Sequence, residues 1–426
     1  MFKARGGAAI AGKAGYALGC VAASLVLVAS GFAYYVKSQV ASIGGSDVIS
    51  SPVSSPSVAP MNILLMGLES RTYWSGQPLP KSLEDAMHIG SVGGDATNTL
   101  ILIHIFAGGQ KAVGFSIPRD DWVNMVGTGG YGGAQGKIDQ AYGFAMANKE
   151  NQLAGSHMTP GEIAWQGNEA GRLAEIETVE ALTGVHIDHF AELNLEGFYR
   201  LAQVFGGIEV CLNDRAYDPT YSGANIPPGY HLLNAAQALA FVRQRHNLPN
   251  GDLDRTHRQQ AVIDYVIWKL EHQGVFTDLG ELSQLLTVAK QYLITDQSWN
   301  LLDFLSDMKA LTGKNLTFTT LPITGYETVD GQDANAVNTA YIKQVVQNTF
   351  YPPAPKPAPK KTATATASGG TRAPGGTAAA PETAPASPPA TAPASSSPPN
   401  SSDSNGQNGG AVTVNQNAPY GIPCVD

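Results

Sequence analysis

The sequence is poor in the residues on which several common chemistries depend. It has only 3 cysteines and no CxxC pair, which excludes a disulfide scaffold and gives no support to a zinc or thiol redox site. Neither an HExxH motif nor a GxSxG elbow occurs, so a zinc enzyme and a serine hydrolase are both disfavoured. The glycine-rich stretch from Gly127 to Gly136 lacks P-loop spacing, because Tyr131 stands where the first glycine is needed.

Positive charge is also scarce, since the formal net charge of the chain is -9. This balance argues against a general affinity for nucleic acid or for anionic lipid headgroups. Any anion that the protein binds must therefore be held by a local cluster of basic residues. Hydrophobic residues make up 43% of the chain, which is enough for a core of ordinary size.

The N-terminal region contains an uncharged apolar run, residues 14–36, that is long enough to span a bilayer. Three basic residues precede the run and one follows it: Lys3, Arg5, Lys13 and Lys37. This asymmetry predicts that residues 1–13 lie in the cytoplasm and that the rest of the chain lies outside the cell membrane. The alternative is a cleaved secretory signal, but the run exceeds the usual signal length and Ala33-Tyr34-Tyr35 is a poor cleavage site. We therefore expect a retained transmembrane signal anchor.

The rest of the chain divides by composition into four parts. Residues 37–60 are rich in Ser, Pro and Gly and are predicted to form a stalk. Residues 351–410 are dominated by Pro, Ala, Thr and Ser, so they cannot bury enough apolar surface to fold and are predicted to be a disordered linker. Residues 411–426 form a tail that contains Cys424. Residues 61–350 alternate apolar strands with amphipathic helices, which predicts one α/β domain.

Three short apolar runs near the start of this domain are predicted to be strands: Asn62–Met66, Leu100–Phe106 and Lys111–Ile117. The Gly-containing loop at residues 107–110 joins the last two as a hairpin. The start of the second strand then lies beside the end of the third, so Asp95 and Asn98 should lie near Arg119. If the first strand is parallel to the third, Glu69 and Arg71 should reach the same edge of the sheet, where α/β domains place ligands.

Three helices are predicted in the second half of the domain. One runs from Glu169 to Leu182, and another covers Ala235–Val242 behind a capping box formed by Asn234 and Gln237. The third starts near Asp254 or Thr256 and continues to Gly274. The expected fold is a three-layer α/β/α domain with a central mixed β-sheet, preceded by one transmembrane helix.

Four arginines lie within a short stretch at the ends of these two later helices: Arg243, Arg245, Arg255 and Arg258. Their charges repel one another unless anions intervene, and the guanidinium fork matches phosphate oxygens. Arg255 and Gln259 are four residues apart and share one side of their helix. The alternative is a solvated basic surface paired with Asp252, Asp254 and Glu271. Arg119, predicted at the binding edge of the sheet, favours the phosphate site.

Acidic residues occur around the same predicted edge, chiefly Glu69 and Asp95, with Asp120, Asp252 and Asp254 as further candidates. Hard carboxylate oxygens beside a phosphate site suggest Mg²⁺, which one or two carboxylates and phosphate oxygens usually hold. The alternative is that these acids simply pair with the arginines, and the sequence leaves both open.

Cys211 lies in an apolar run and is by default a small buried hydrophobe. Cys424 is expected in the same oxidising compartment, so a disulfide between Cys211 and Cys424 is the alternative.

Four segments together resemble the LytR–CpsA–Psr family of cell-wall proteins, in particular its actinobacterial members. They are NILLMGLESR at residues 62–71, SIPRD at 116–120, KIDQAY at 137–142 and ALAFVRQRHNLPNGDLDRTHRQQ at 238–260. The resemblance covers most of the chain from residue 61 to residue 269. It implies a phosphotransferase that moves a glycopolymer from a polyprenyl-pyrophosphate carrier to peptidoglycan, with arabinogalactan as the expected polymer. A pyrophosphatase and a non-catalytic binder of the lipid carrier are the rival functions.

The resemblance also implies roles for individual residues. Arg119, Arg243 and Arg245 would clamp the pyrophosphate, Arg255 and Gln259 would complete the site, and Lys137 would support it. Glu69 and Asp95 would hold Mg²⁺ (or Mn²⁺), and either carboxylate could act as the catalytic base. The sequence departs from the family pattern here, since Glu69 replaces the usual Asp and Asn98 stands beside Thr99 where an Asp is expected.

Overall fold

The computed structural model describes residues 36–40, 43–49, 59–90, 93–272, 278–299, 315–353 and 424–426. The predicted membrane span lies outside these ranges apart from Val36, as do nearly all of the predicted linker and most of the tail. Within the described ranges, no helix is both long and apolar enough to cross a membrane.

Strands and helices alternate along the described chain. The strands are β1 (Gly44–Ser46), β2 (Met61–Glu69), β3 (Ala96–Ile105), β4 (Ala112–Ile117), β5 (Trp122–Asn124), β6 (Gln135–Lys137), β7 (His189–Asn194), β8 (Ile208–Leu212), β9 (Ala216–Asp218), β10 (Ala224–Ile226), β11 (Gly229–Leu233), β12 (Leu293–Asp296), β13 (Leu316–Thr320), β14 (Gly325–Val329), β15 (Gln332–Ala336) and β16 (Cys424–Val425). The helices are α1 (Lys81–Ala86), α2 (Gln140–Leu153), α3 (Pro160–Thr183), α4 (Leu195–Val204), α5 (Ala235–Arg243), α6 (Asp252–His272), α7 (Leu279–Tyr292) and α8 (Thr339–Phe350).

The central sheet has seven strands in the order β1-β12-β7-β2-β3-β4-β13. Strand β3 is antiparallel to both β2 and β4. In contrast, β7 is parallel to β2 and β13 is parallel to β4. The predicted α/β fold with a central mixed sheet is therefore confirmed. Because two antiparallel pairings return the chain to its first direction, β2 and β4 end at the same edge of the sheet.

Two segments from outside the predicted domain bounds join its sheets. Strand β1 lies in the stretch predicted as a stalk, and it pairs in parallel with β12 at the edge of the central sheet. Strand β16 comes from the predicted tail and pairs in parallel with β8. Both segments are short, so no hydrophobic period in the sequence indicated them.

The predicted helices are present, with shifted bounds. Helix α3 begins at Pro160, earlier than expected, because Thr159 and Glu162 form a capping box and proline suits the first helical position. It ends before Gly184, which adopts a left-handed conformation (φ 75°). Helix α5 has the predicted capping box between Asn234 and Gln237.

One face of the central sheet packs against α3 and α8 in a continuous core. The strands contribute Leu64, Leu102 and Phe115, among others, and the helices contribute Val179 and Val346. These side chains are buried, and alternation along the strands places them all on the same face.

The opposite face of the sheet is covered differently. Its side chains, including Ile63, Ile103 and Ile105, line a cavity of about 1090 Å³ whose far wall includes Val266 and Ile267 of α6. Behind the cavity, Ala261, Val262 and Tyr265 of the same helix join a second core with β8, β11 and Val425 of β16. Helix α6 therefore stands between the cavity and this second core.

Candidate active site

Three structural elements deliver the arginines to one end of the cavity. Arg119 follows Pro118 directly after β4, Arg243 is the last residue of α5, and Arg255 lies in the first turn of α6. The capping box at Asn234 fixes where α5 begins, and the helix then ends with its basic residue exposed to the mouth of the cavity. A strand end and the ends of two helices therefore meet at one place.

Arg119 lies at the centre of the cluster. Its Nη1 donates a hydrogen bond to the side-chain oxygen of Asn98, and its guanidinium lies 3.6 Å from Asp120 and 3.7 Å from both Asp139 and Asp252. The predicted proximity of Asn98 at the start of β3 and Arg119 at the end of β4 is therefore present.

Asp120 joins two of the predicted basic residues. Lys137 Nζ donates to its Oδ1 at 2.8 Å, and Arg245 Nη2 donates to its Oδ2 at 2.8 Å. The carboxylate thereby fixes the separation of Lys137 and Arg245.

Asp252, at the start of α6, pairs with the same group of cations. Arg255 Nη2 lies 2.6 Å from its Oδ1, and Arg245 Nε lies 3.7 Å from the same atom. Arg255 and Gln259 also donate to the main-chain oxygen of Asn98, at 3.1 and 3.5 Å. These bonds tie the first turns of α6 to the start of β3.

Glu69 forms a separate corner of the site at the end of β2. Its carboxylate accepts hydrogen bonds from Arg71, at 2.8 Å, and from the side-chain amide of Asn98. Arg243 Nη2 lies 3.9 Å from the same carboxylate, and its Nη1 donates to the main-chain oxygen of His88 at 3.1 Å.

Burial and neighbouring charges shift the pKa values of the ionisable side chains in this cluster. Burial opposes the charge on Arg119, but Asp139 and Asp120 outweigh it and raise the pKa of that guanidinium. Burial lowers the pKa values of Arg243 and Arg255. It also raises the pKa of Asp139 to about 7, against the opposing effect of Arg119. Among the described residues, the buried Nε atoms of Arg119 and Arg255 have no hydrogen-bond partner. An anion bound beside them would supply acceptors in place of the water lost on burial.

Asp95 precedes β3, and Glu69 is paired with Ala96 in the sheet, so the two acids lie on adjacent strand ends. Burial raises the pKa of Asp95, while a hydrogen bond with Ser70 and the charge of Arg71 lower it. Among the described residues, no three His, Cys, Asp or Glu side chains lie close enough together to hold a metal ion by themselves.

The predicted residues differ in their relation to the cavity. Six of them line it: Glu69, Arg119, Arg243, Arg245, Arg255 and Gln259. Lys137 and Asp95 do not contribute to the lining. Lys137 binds Asp120, which also binds the lining residue Arg245, and the charge of the lining residue Arg71 acts on Asp95. The cavity therefore has a strongly basic mouth and, beneath it, walls of Ile, Leu and Val.

Two residues with close contacts in the site had no predicted role. Arg71 donates to Glu69 and to the main-chain oxygen of Gly90, at 2.8 and 2.6 Å. Asp139 lies beside Arg119. Both belong to the quoted motifs at residues 62–71 and 137–142. The motifs therefore indicated that these positions matter, but they did not indicate what Arg71 and Asp139 contact.

The two cysteines in the described ranges lie away from the cavity. Cys211 in β8 and Cys424 in β16 form a disulfide, with their Cα atoms 4.3 Å apart. The bond therefore lies at the second core, behind α6.

Fold and site together define an α/β protein in which clustered arginines close an apolar cavity. The LytR_cpsA_psr family model matches residues 31–350. The chain therefore belongs to the LytR_cpsA_psr family, which confirms the resemblance seen in its motifs.

Individual relatives agree with this assignment. The cell wall biosynthesis protein LcpA of Corynebacterium glutamicum is 34% identical over 285 residues, which are 67% of this chain and 54% of LcpA. This chain thus spans about half the length of LcpA. A protein of Bacillus subtilis named polyisoprenyl-teichoic acid–peptidoglycan teichoic acid transferase TagU is 28% identical over 294 residues, 67% of this chain and 78% of TagU.

A crystal structure of the protein gbs0355 from Streptococcus agalactiae matches the fold with a TM-score of 0.50 and 20% identity. The match covers 68% of this chain and 88% of that protein.

Proposed function

We propose that this protein is a phosphotransferase that moves a glycopolymer from a polyprenyl-pyrophosphate carrier to peptidoglycan. The observation that carries the proposal is a mouth lined by arginines directly above an apolar cavity of about 1090 Å³. This volume lies near the upper limit of roughly 1,000 Å³ for pockets that hold drug-sized ligands. Such a site suits an amphiphile with a diphosphate head and a long hydrocarbon tail. The name of TagU describes a transfer from a polyisoprenyl-linked polymer to peptidoglycan for that relative.

The basic residues would hold the diphosphate. Arg119, Arg243 and Arg245 would contact its oxygens, with Arg255 and Gln259 as further donors and Lys137 as support. Charged hydrogen bonds of this kind contribute roughly 1.5–3 kcal/mol each. Asp120 and Asp252 already fix the spacing of the cations, so little side-chain freedom is lost when the ligand binds.

In the proposed reaction, a hydroxyl of the peptidoglycan sugar attacks the phosphorus that bears the polymer. A new phosphodiester bond forms, the bond to the lipid monophosphate breaks, and the monophosphate leaves. The arginines stabilise the negative charge that develops on the phosphoryl oxygens. The acceptor of the hydroxyl proton in this proposal is one carboxylate, Glu69 or Asp95.

The same carboxylate pair would hold Mg²⁺ (or Mn²⁺). Two acids fit this ion, because it prefers hard oxygen ligands and takes its remaining ligands from phosphate and water. The adjacent strand ends that carry Glu69 and Asp95 support the assignment. When bound, the ion would neutralise charge on the diphosphate.

We further propose that residues 14–36 anchor the protein in the cell membrane, with the N-terminus in the cytoplasm and the folded domain outside. The charge asymmetry around the apolar run supports this orientation. Arabinogalactan is the proposed polymer, on the resemblance of the motifs to actinobacterial members of the family.

The test uses the full-length protein in detergent, a short-chain polyprenyl-pyrophosphate-linked glycan and peptidoglycan fragments, with products identified by mass spectrometry. Arg119→Ala should lower the transfer rate by roughly 100-fold or more, as when one charge-stabilising donor is removed. Arg215→Ala, at an exposed arginine outside the cavity, is the matched control and should retain the rate. Chelation of divalent ions should also lower the rate, and added Mg²⁺ should restore it.

Other products would overturn the proposal. Release of phosphate without a glycan adduct would make the protein a pyrophosphatase. Binding of the lipid with neither product would make it a carrier-binding protein. Full activity of Arg119→Ala would show that the arginine cluster does not take part in the transfer reaction.

A further inference from the structure

The described C-terminal residues, Cys424–Asp426, are bound to the folded domain by three kinds of contact. The Cys424–Cys211 disulfide is covalent, β16 pairs with β8, and Val425 is buried in the second core. The main-chain N–H of Asn213 also donates to the main-chain oxygen of Val425 at 2.9 Å, and its side-chain nitrogen donates to the Asp426 carboxylate at 2.9 Å. We call these three residues the tail strand.

The tail strand supplies an acceptor to a buried arginine of α6. Arg258 is 1% exposed, and its Nε donates to the main-chain oxygen of Asp426 at 2.5 Å. The guanidinium also lies 5.0 Å from the centre of the Phe241 ring and bonds the side chain of Gln244. Burial lowers the pKa of Arg258 to about 10, against the charges of Asp254 and Asp426. A buried cation depends strongly on each acceptor, so loss of the tail strand would leave Arg258 poorly satisfied.

Gln244 links Arg258 to the basic mouth of the cavity. It is fully buried, and its side-chain oxygen accepts from Arg258 Nη1 at 2.8 Å. Its side-chain nitrogen donates to the main-chain oxygen of His246 at 2.9 Å. Gln244 stands between Arg243 and Arg245 in the sequence, so its anchored side chain holds the short turn from which both arginines project.

We propose that the tail strand positions Arg243 and Arg245 through Arg258 and Gln244, so that the Cys211–Cys424 disulfide sets the affinity of the site for a diphosphate headgroup. The inference rests on the proposed function only in taking a diphosphate as the ligand. None of the tail-strand residues lines the cavity, so the action is one of positioning.

The disulfide adds a covalent link to noncovalent contacts that are confined to three residues of the tail strand. Only two residue pairs join β16 to β8. The cysteines are 213 residues apart, and bringing such distant segments together without a covalent link has a large entropic cost. Reduction of the disulfide should therefore release the tail strand. Arg258 Nε would then lose its bond to Asp426 and donate to water instead.

The experiment measures the binding of farnesyl pyrophosphate and of farnesol to the full-length protein in detergent. In Cys211→Ser/Cys424→Ser, the Kd for farnesyl pyrophosphate should rise roughly tenfold, whereas the Kd for farnesol should stay unchanged. A general loosening of the domain would instead raise the Kd for both ligands. Ile342→Val, which removes a buried methyl group on the far face of the sheet, is the matched control and should change neither.

A second variant tests the route of the effect. Gln244→Met keeps the approximate volume and removes the acceptor for Arg258. If the tail strand acts through Gln244, adding the two serine substitutions to Gln244→Met should weaken diphosphate binding no further. If the serine variant does not fold, the purified wild-type protein can be reduced and its thiols alkylated before the same measurement.

The outcomes separate the two proposals. An unchanged Kd for farnesyl pyrophosphate after loss of the disulfide, or additive effects with Gln244→Met, would overturn the positioning role. If wild-type protein binds farnesyl pyrophosphate no better than farnesol, the proposed function itself fails.

Discussion

The two faces of the central sheet are built from alternate residues of the same strands, yet they have different surroundings. In β3, Leu102 points into the core beneath α3 and α8, while the next residue, Ile103, lines the cavity. In β2, Leu64 and Leu65 divide in the same way. Apolar side chains alone therefore do not distinguish a structural face from a binding face. The difference is that α3 and α8 close over their face of the sheet in a continuous core, whereas α6 contacts the other face at residues such as Ile267 and leaves a cavity beside these contacts.

The largest effect should come from the packed face. Leu102→Ala removes a fully buried side chain from a close-packed core and should lower the free energy of unfolding by about 2–5 kcal/mol. Ile103→Ala removes a similar volume from a cavity wall, so it should cost about half as much or less. Urea denaturation of both variants measures the two values. Equal losses would show that the two faces do not differ in packing.

A smaller effect is expected from pH at the packed face. His104 stacks on Phe350, and burial lowers its pKa from 6.5 to about 4, against the charge of Asp188. Below pH 6.5 the imidazole of His104 is protonated in the unfolded chain but stays neutral in the native protein until the pH approaches 4. The stability from the neutral histidine is thus complete above pH 6.5 and is lost as pH falls towards 4, by roughly 2–3 kcal/mol.

His104→Gln should flatten this slope, as measured by urea midpoints between pH 4 and pH 7. His157→Gln, at an exposed position, is the control and should leave the slope in place. An unchanged slope in His104→Gln would show that the packed face does not exclude the charged imidazole.

The smallest effect should come from filling the cavity. Leu65→Trp adds bulk to the cavity wall and should weaken the binding of a long polyprenyl chain by roughly tenfold, because the ring occupies space that the tail needs. Binding of a diphosphate without a lipid tail should be unaffected, since the arginines are untouched. Isothermal titration with both ligands checks this. If the binding of both ligands weakened equally, the arginines and the apolar cavity would not be separate sites for the diphosphate and the lipid tail.

Local sequence signals were sufficient for much of the fold. The alternation of β2, β3 and β4, the hairpin loop and the capping box before α5 all depend on residues within a few positions of one another. The start of α3 was placed too late, because its capping box at Thr159 lies before the strongly apolar part of the helix. The strands β1 and β16 escaped prediction because segments of three and two residues carry no period.

The sequence by itself determined the family, the mixed sheet and the presence of arginines at a strand end and at two helix ends, because each of these follows from short motifs. Only the tertiary structure decided which charges meet. Arg245 and Asp120 are 125 residues apart in the chain and 2.8 Å apart in space. The cavity, the second core and the contact between Arg258 and Asp426 have the same origin. Such contacts depend on how complete helices pack against a sheet, and no local pattern of residues specifies that geometry.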